Sequence, residues 1–130
     1  MKTLLTIFTL VFTVMFSSTS FAGWTKVSQG VNGDTFYVDF EKIRKDGEYI
    51  YMLELINFSK PTLYGDLSYI IHQKVDCELS MNKYLSFAFH KKPMGGGSGR
   101  VTAPIGANGL WKYPPPGSVM DSIIKSVCSR

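Results

Sequence analysis

Two cysteines constrain the fold of this chain more than any other feature of its 130 residues. Cys77 ends the stretch 68–77, whose Tyr, Ile and Val content predicts a β-strand. Cys128 lies two residues before the C-terminus. We therefore expect the element that carries Cys128 to lie against the strand that ends at Cys77.

Residues 1–22 predict a secretory signal peptide. Lys2 precedes a mostly apolar run, residues 4–16, and a polar stretch then ends in Ser20-Phe21-Ala22. The run is too short for a membrane span, and its small-x-small ending is typical of a cleavage site. We expect cleavage after Ala22 and a mature domain at 23–130. No cysteine follows the apolar run, so we expect no lipid anchor, and a product in the periplasm or at the cell surface.

Export predicts that the two cysteines are bonded to each other, because oxidising compartments form and keep disulfides. Cys77 and Cys128 are 51 positions apart. The chain-entropy model gives such a bond about 4 kcal/mol of stability. The alternative is a pair of metal-binding thiols, but the two histidines lie far from both cysteines and lack the spacing of a zinc site.

Length and charge limit the function classes. Removing residues 1–22 from the 130 leaves 108, enough for one domain with one core. The removal also takes away Lys2, so the formal net charge falls from +4 to +3. A charge this small favours acidic partners or anionic headgroups only mildly and does not indicate a nucleic-acid binder. No further stretch is long and apolar enough to predict a membrane span.

Alternating patterns and turn residues predict an antiparallel sheet. Glu54 is the only charge in 49–58, which predicts a central strand with two covered faces. In 67–77, Gln73 interrupts the apolar face. In 83–90, the side chains of Tyr84 and Phe87 are expected on opposite faces of the sheet. The glycine-rich tract 93–99 predicts no regular element. The predicted strands are 24–28, 35–40, 49–58, 67–77, 83–90, 100–102 and 110–113.

The C-terminal segment changes to helical spacing. Ser118 is the predicted N-cap, with Asp121 three positions later. The apolar stripe consists of Val119, Ile123, Ile124 and Val127. We predict an α+β fold, a single antiparallel sheet of about six strands with one C-terminal helix packed on it and tethered by a disulfide between Cys77 and Cys128.

Motifs along nearly the whole mature chain resemble the surface-adhesin protein E family of Gram-negative bacteria. The residues that carry the resemblance are Trp24, Val27, Tyr37-x-Asp39, Ile43-Arg44, Val75-Asp76-Cys77, Gly97-x-Gly99, Trp111, Pro116-Gly117-Ser118 and Val127-Cys128. The resemblance implies a six-stranded antiparallel sheet with a C-terminal helix held by a disulfide. It also implies a non-catalytic surface module that binds host extracellular matrix or serum proteins.

Candidate catalytic and metal-binding residues are few. His72 and His90 are the only histidines, and we interpret both as solvated or locally bonded, with no C-x-x-C-H motif for haem. Asp76 and Glu78 flank Cys77 and are interpreted as solvated carboxylates. The tract 93–99 lacks the Gly-Lys-Ser/Thr ending of a phosphate loop. We expect no catalytic residue, cofactor or metal.

Basic and aromatic residues supply the remaining binding candidates. Trp111-Lys112-Tyr113 is the best aromatic anchor for a partner, although Trp111 is expected in the core. Two groups of basic residues could contact an acidic partner or be ordinary solvated surface. They are Lys42, Arg44 and Lys45, and His90, Lys91, Lys92 and Arg100.

The sequence thus predicts an exported binding module and not an enzyme. The alternative is a periplasmic protein that binds an envelope partner, or a small ligand in the concavity between sheet and helix. A hydrolase would need a nucleophile and a base brought together by the fold. An unpaired sheet edge would allow a homodimer, which light scattering of the purified protein tests.

Overall fold

The computed structural model describes residues 23–130, which form one antiparallel β-sheet and one α-helix. The signal-peptide prediction for residues 1–22 lies outside the described residues. The strands are β1 (Trp24–Gln29), β2 (Thr35–Asp39), β3 (Arg44–Asp46), β4 (Tyr49–Asn57), β5 (Ser68–Asp76), β6 (Met81–His90) and β7 (Gly99–Thr102), and the helix is α1 (Val119–Cys128). Three 3-10 turns lie at Phe40–Lys42, Pro93–Gly95 and Gly106–Gly109.

The sheet has the order β1-β2-β4-β5-β6-β7, and β3 pairs with β4 beside the end of β2. β4 therefore has neighbours on both sides, as its apolar sequence predicted. It pairs with β5 over nine residues, from Tyr49 opposite Asp76 to Asn57 opposite Ser68. This register fixes which side chains share a face, because alternate residues of a strand point to opposite sides.

The helix packs on one face of the sheet, which we call the helix face. Ile123, Ile124 and Val127 are buried, as the helical spacing predicted. They meet side chains from β2, β4 and β5 in a single core: Val38, Ile50, Met52 and Val75. Ser118 accepts a hydrogen bond from the Asp121 N–H at 3.2 Å, which confirms it as the N-cap.

A disulfide between Cys77 and Cys128 joins the end of β5 to the last residue of α1, with 5.7 Å between the two Cα atoms. Cys77 continues the row of Val75 on the helix face, and Cys128 follows the buried Val127. The predicted fold class, including this tether, is confirmed.

The structure differs from or adds to the local predictions at three places. Residues 110–113 form no strand. The backbones of Lys112 and Asn82 exchange two hydrogen bonds, but pairing stops there because the prolines at 114–116 have no backbone N–H groups. Residues 44–46 do form a strand, which the charged stretch had concealed. The tract 93–99 contains the turn Pro93–Gly95, held by hydrogen bonds from the Met94 N–H to the Asn57 side chain and from the Gly95 N–H to the Ser68 hydroxyl.

A bulge in β6 overturns the predicted alternation of that strand. Ser86 lies opposite His72, but Tyr84 lies opposite Gln73, so Leu85 is an extra residue. The side chains of Tyr84 and Phe87 therefore reach the same side of the sheet, and their ring centroids are 5.4 Å apart. The sequence predicted them on opposite sides.

Within residues 23–130, no helix has the length and apolar character needed to span a membrane.

Candidate functional site

The face of the sheet opposite α1, which we call the open face, carries a shallow hollow. Its volume is about 480 Å³, and it is open to solvent. Apolar side chains of the central strands, such as Leu53 and Ile70, form its floor, and Lys42 and Arg44 stand at one side. β-Strand alternation builds this surface, because Tyr49, Tyr51 and Leu53 of β4 all point away from the helix.

Cations lie over aromatic rings beside this hollow. The ammonium nitrogen of Lys74 is 4.1 Å from the ring centroid of Tyr49 and 5.8 Å from that of Trp111. The guanidinium carbon of Arg44 is 5.0 Å from the ring centroid of Tyr51. These distances lie within the range of cation–π attraction, which holds the cations in place without neutralising them. We call these five residues the cation–aromatic cluster.

The charge of the cluster is not balanced by nearby carboxylates. Among residues 23–130, neither Lys74 nor Arg44 has a carboxylate oxygen within 4.0 Å. Asp46 and Asp76 lie only at the ends of their strands, opposite Tyr49. In addition, Lys83 of β6 lies directly opposite Lys74. Within the described residues, the open face thus presents cations that no ion pair neutralises, next to half-exposed aromatic rings.

A second hollow lies on the helix face, beside the core that α1 covers. It has a volume of about 590 Å³ and is also open to solvent. We call it the aromatic groove. Residues 102–105 and the 3-10 turn after them form its wall. Five rings line it, those of Phe58, Tyr69, Tyr84, Phe87 and Phe89.

A buried polar chain separates the helix core from the groove. The Gln73 amide donates to the Glu54 carboxylate at 2.7 Å, and the Asn82 amide donates to Gln73 at 3.1 Å. The three side chains come from β4, β5 and β6 and are at most 3% exposed. Burial raises the pKa of the Glu54 carboxyl from 4.5 to about 7, against the lowering effect of the Gln73 hydrogen bond.

The same environment affects the tyrosines of the groove. Burial raises the pKa of the Tyr69 and Tyr84 hydroxyls, and the negative charge of Glu54 raises both further. Both tyrosines therefore remain neutral hydroxyls at physiological pH. Their rings serve the groove as packing surface.

The structure separates the predicted binding residues into those that line the open hollow and those held by contacts within the domain. Lys42 and Arg44 line the open hollow, whereas the Lys45 ammonium group donates to the backbone carbonyl of Arg130 at 3.1 Å. Trp111 is not a core residue: it is half-buried, with its ring 5.5 Å from that of Tyr49. It leaves the core because the Lys112 bridge to Asn82 directs neighbouring side chains to opposite faces.

The second predicted basic group has a structural role in part. Lys91 and Arg100 approach the carboxylate of Asp66 at 3.0 Å and 3.6 Å, and Asp66 is only 2% exposed. These pairs fix the loop before β5 to the β6–β7 hairpin. They leave these two cations less free for a partner than Lys74 and Arg44 are.

The histidines and the carboxylates beside Cys77 do not converge. His72 is half-buried on the open face, with its ring centroid 6.3 Å from that of Tyr51, and His90 packs against Gly99. Asp76 accepts a hydrogen bond from the Leu79 N–H within the β5–β6 turn, and Glu78 is exposed. In the described part of the chain, no group of three His, Cys, Asp or Glu side chains could hold a metal ion.

Sequence reasoning missed Tyr49, Tyr51 and Lys74 as binding candidates. The only signal in the sequence was the spacing of the two tyrosines, which places them on one face of a strand. Lys74 joins them through the β4–β5 register, which places it opposite Tyr51.

Comparison with known proteins agrees with this architecture. A family model described as surface-adhesin protein E matches residues 24–129. Crystal form II of Haemophilus influenzae protein E superposes with a TM-score of 0.68 at 16% identity, covering 85% of this chain and 91% of that one. A second structure of Haemophilus influenzae protein E gives a TM-score of 0.66 at 17% identity, covering 85% and 87%. No curated protein matches the sequence.

Proposed function

The chain belongs to the surface-adhesin protein E family, and we propose that it binds a host extracellular matrix or serum protein through its open face. Family membership makes it an adhesin-like binding module and indicates an exported surface protein. The disulfide fits an oxidising location. We assign it binding and no catalysis, in line with the family description.

The cation–aromatic cluster is the observation that supports the open face. Aromatic residues and Arg are enriched in protein interfaces, where they serve as anchors. Here the anchors are already held in place, since Lys74 and Arg44 rest on the rings of Tyr49 and Tyr51. Less conformational entropy is then lost on binding. The positive charge selects an acidic segment of the partner.

Removing two cations of the cluster tests this proposal. The double variant Arg44→Gln/Lys74→Gln should bind an immobilised basement-membrane extract or immobilised serum proteins about tenfold more weakly, because each lost charge contact weakens the complex. Wild-type binding should also weaken as salt rises from 50 to 300 mM, since the screening length is about 10 Å at 0.1 M and shortens as salt is added. Biolayer interferometry measures both effects.

The matched control removes the same charge elsewhere. Lys60→Gln/Lys125→Gln replaces two exposed lysines outside the cluster, one in the loop after β4 and one on α1, and should bind like the wild type. If both double variants lose affinity equally, net charge and not the open face governs binding. If neither variant loses affinity, the open face is not the contact surface.

We also propose that residues 1–22 are a signal peptide that is removed after Ala22 during export. The charged start, the apolar run and the Ser20-Phe21-Ala22 ending support it. Intact-mass measurement of the native protein should give a chain that begins at Gly23. Ala22→Arg should block this cleavage, because the cleavage site needs a small residue there. A native chain that retains Met1–Ala22 would contradict the proposal.

A further inference from the structure

The aromatic groove has features that the proposed open-face contact does not use. Its five rings form a continuous surface: the centroids of Phe58 and Tyr69 are 5.0 Å apart, and those of Tyr69 and Phe89 are 5.4 Å apart. The rings of β6 extend this surface along the strand from Phe89 to Tyr84. Steps of 5.4 Å and 6.3 Å between neighbouring rings of β6 keep the centroids of Tyr84 and Phe89 within about 12 Å of each other.

The positive charge of the groove lies at one end. Among the residues that the structure describes, Lys112 is the only charged side chain that lines it. Its ammonium nitrogen is 4.7 Å from the ring centroid of Tyr84 and 3.3 Å from the side-chain oxygen of Asn108. Among residues 23–130, no carboxylate oxygen lies within 4.0 Å of this cation.

The opposite end offers no comparable free charge. The guanidinium carbon of Arg100 is 5.2 Å from the ring centroid of Phe89, but this cation also approaches the buried Asp66 at 3.6 Å. An anion in the groove would therefore place its charge at Lys112 and its apolar part along the rings towards Phe89.

We propose that the aromatic groove binds a single-chain amphiphile with an anionic head, of the fatty-acid class. The neighbouring rings from Phe58 to Tyr84 offer an apolar track for an extended hydrocarbon chain, and the cation of Lys112 lies at the Tyr84 end of that track. The volume of about 590 Å³ is in the range of small-molecule sites. Burial of the ligand's hydrocarbon chain supplies affinity, and Lys112 supplies the preference for a negatively charged head.

Glu54 does not oppose this ligand directly. Its carboxyl is 3% exposed, accepts a hydrogen bond from Gln73 and does not line the groove. Binding is best measured at pH 6, where most of this carboxyl is protonated because burial raises its pKa to about 7.

The test compares two amphiphiles that share one chain length and carry opposite permanent charges. Isothermal titration calorimetry with dodecanesulfonate and with dodecyltrimethylammonium, both at micromolar concentration below micelle formation, should show one site per chain. The anion should bind at least tenfold more tightly. Equal affinities, or no binding of the anion, would overturn the proposal.

Variants at Lys112 locate the site. Lys112→Gln should weaken dodecanesulfonate about tenfold, whereas Lys112→Arg should retain the affinity because the charge remains. The control is Lys26→Gln, which removes an exposed lysine of β1 that does not line the groove and should leave dodecanesulfonate binding unchanged. If Lys112→Gln folds with an unchanged melting temperature and still binds the anion as wild type does, the groove is not the site.

Discussion

Breaking the Cys77–Cys128 disulfide should lower the free energy of unfolding by about 4 kcal/mol, the largest single effect that we expect. The bond joins residues 51 positions apart and so restricts a long loop of the unfolded chain. It also ties down α1, a helix of ten residues, which is too short to be stable in water by itself. For a domain of this size, the loss corresponds to a fall of roughly 15–30 °C in melting temperature.

The experiment uses reductant and a double variant together. Urea unfolding of the wild type with and without reductant should differ by about 4 kcal/mol, after mass spectrometry has confirmed that the bond is broken. Cys77→Ser/Cys128→Ser should match the reduced wild type and should not respond to reductant. Equal stability of the oxidised and reduced wild type would show that the tether contributes nothing.

The second large effect is a loss of stability with rising pH caused by Glu54. Burial raises the pKa of its carboxyl from 4.5 to about 7 in the folded protein. The folded state therefore keeps its proton at pH values where the unfolded state has lost it. Stability from this group is highest below pH 4.5 and falls as the pH rises towards 7. The difference of the two pKa values corresponds to about 3 kcal/mol.

A neutral variant isolates this contribution. Glu54→Gln keeps an oxygen that can accept the hydrogen bond from Gln73, but it does not titrate. Between pH 5 and pH 8, the wild type should lose about 2–3 kcal/mol of unfolding free energy relative to this variant. The control Glu48→Gln changes an exposed carboxylate and should keep the wild-type pH profile. Parallel profiles for the wild type and Glu54→Gln would contradict the buried titration.

The hydrogen-bonded chain gives a reason for keeping a carboxyl inside the domain. Glu54, Gln73 and Asn82 lie on three adjacent strands and bond only in one register. A one-residue slip would turn bonded side chains to opposite faces of the sheet, and each polar group left buried without its partner costs about 1–3 kcal/mol. These three hydrogen-bonded side chains thus help to specify the pairing of β4, β5 and β6 next to the bulge in β6.

Much of the fold could be predicted because its signals are local. Helical spacing placed Ile123, Ile124 and Val127 on one stripe, and Ser118 supplied the cap. The apolar run around Glu54 indicated the central strand, and two cysteines in an exported chain indicated the tether. These features depend on residues that are close in sequence or on chemistry that a compartment dictates, so the sequence alone carries them.

The candidate sites could not be predicted, because they depend on which distant residues become neighbours. Tyr51 and Lys74 meet only through the β4–β5 register, and Trp111 joins them only because Lys112 forms a bridge to Asn82. The bulge at Leu85 places Tyr84 in the aromatic groove, against the alternation of the sequence. The sequence by itself therefore determined the helix stripe, the central strand and the tether. Strand pairing, a long-range property, decided the faces, the burial of Glu54 and both candidate sites.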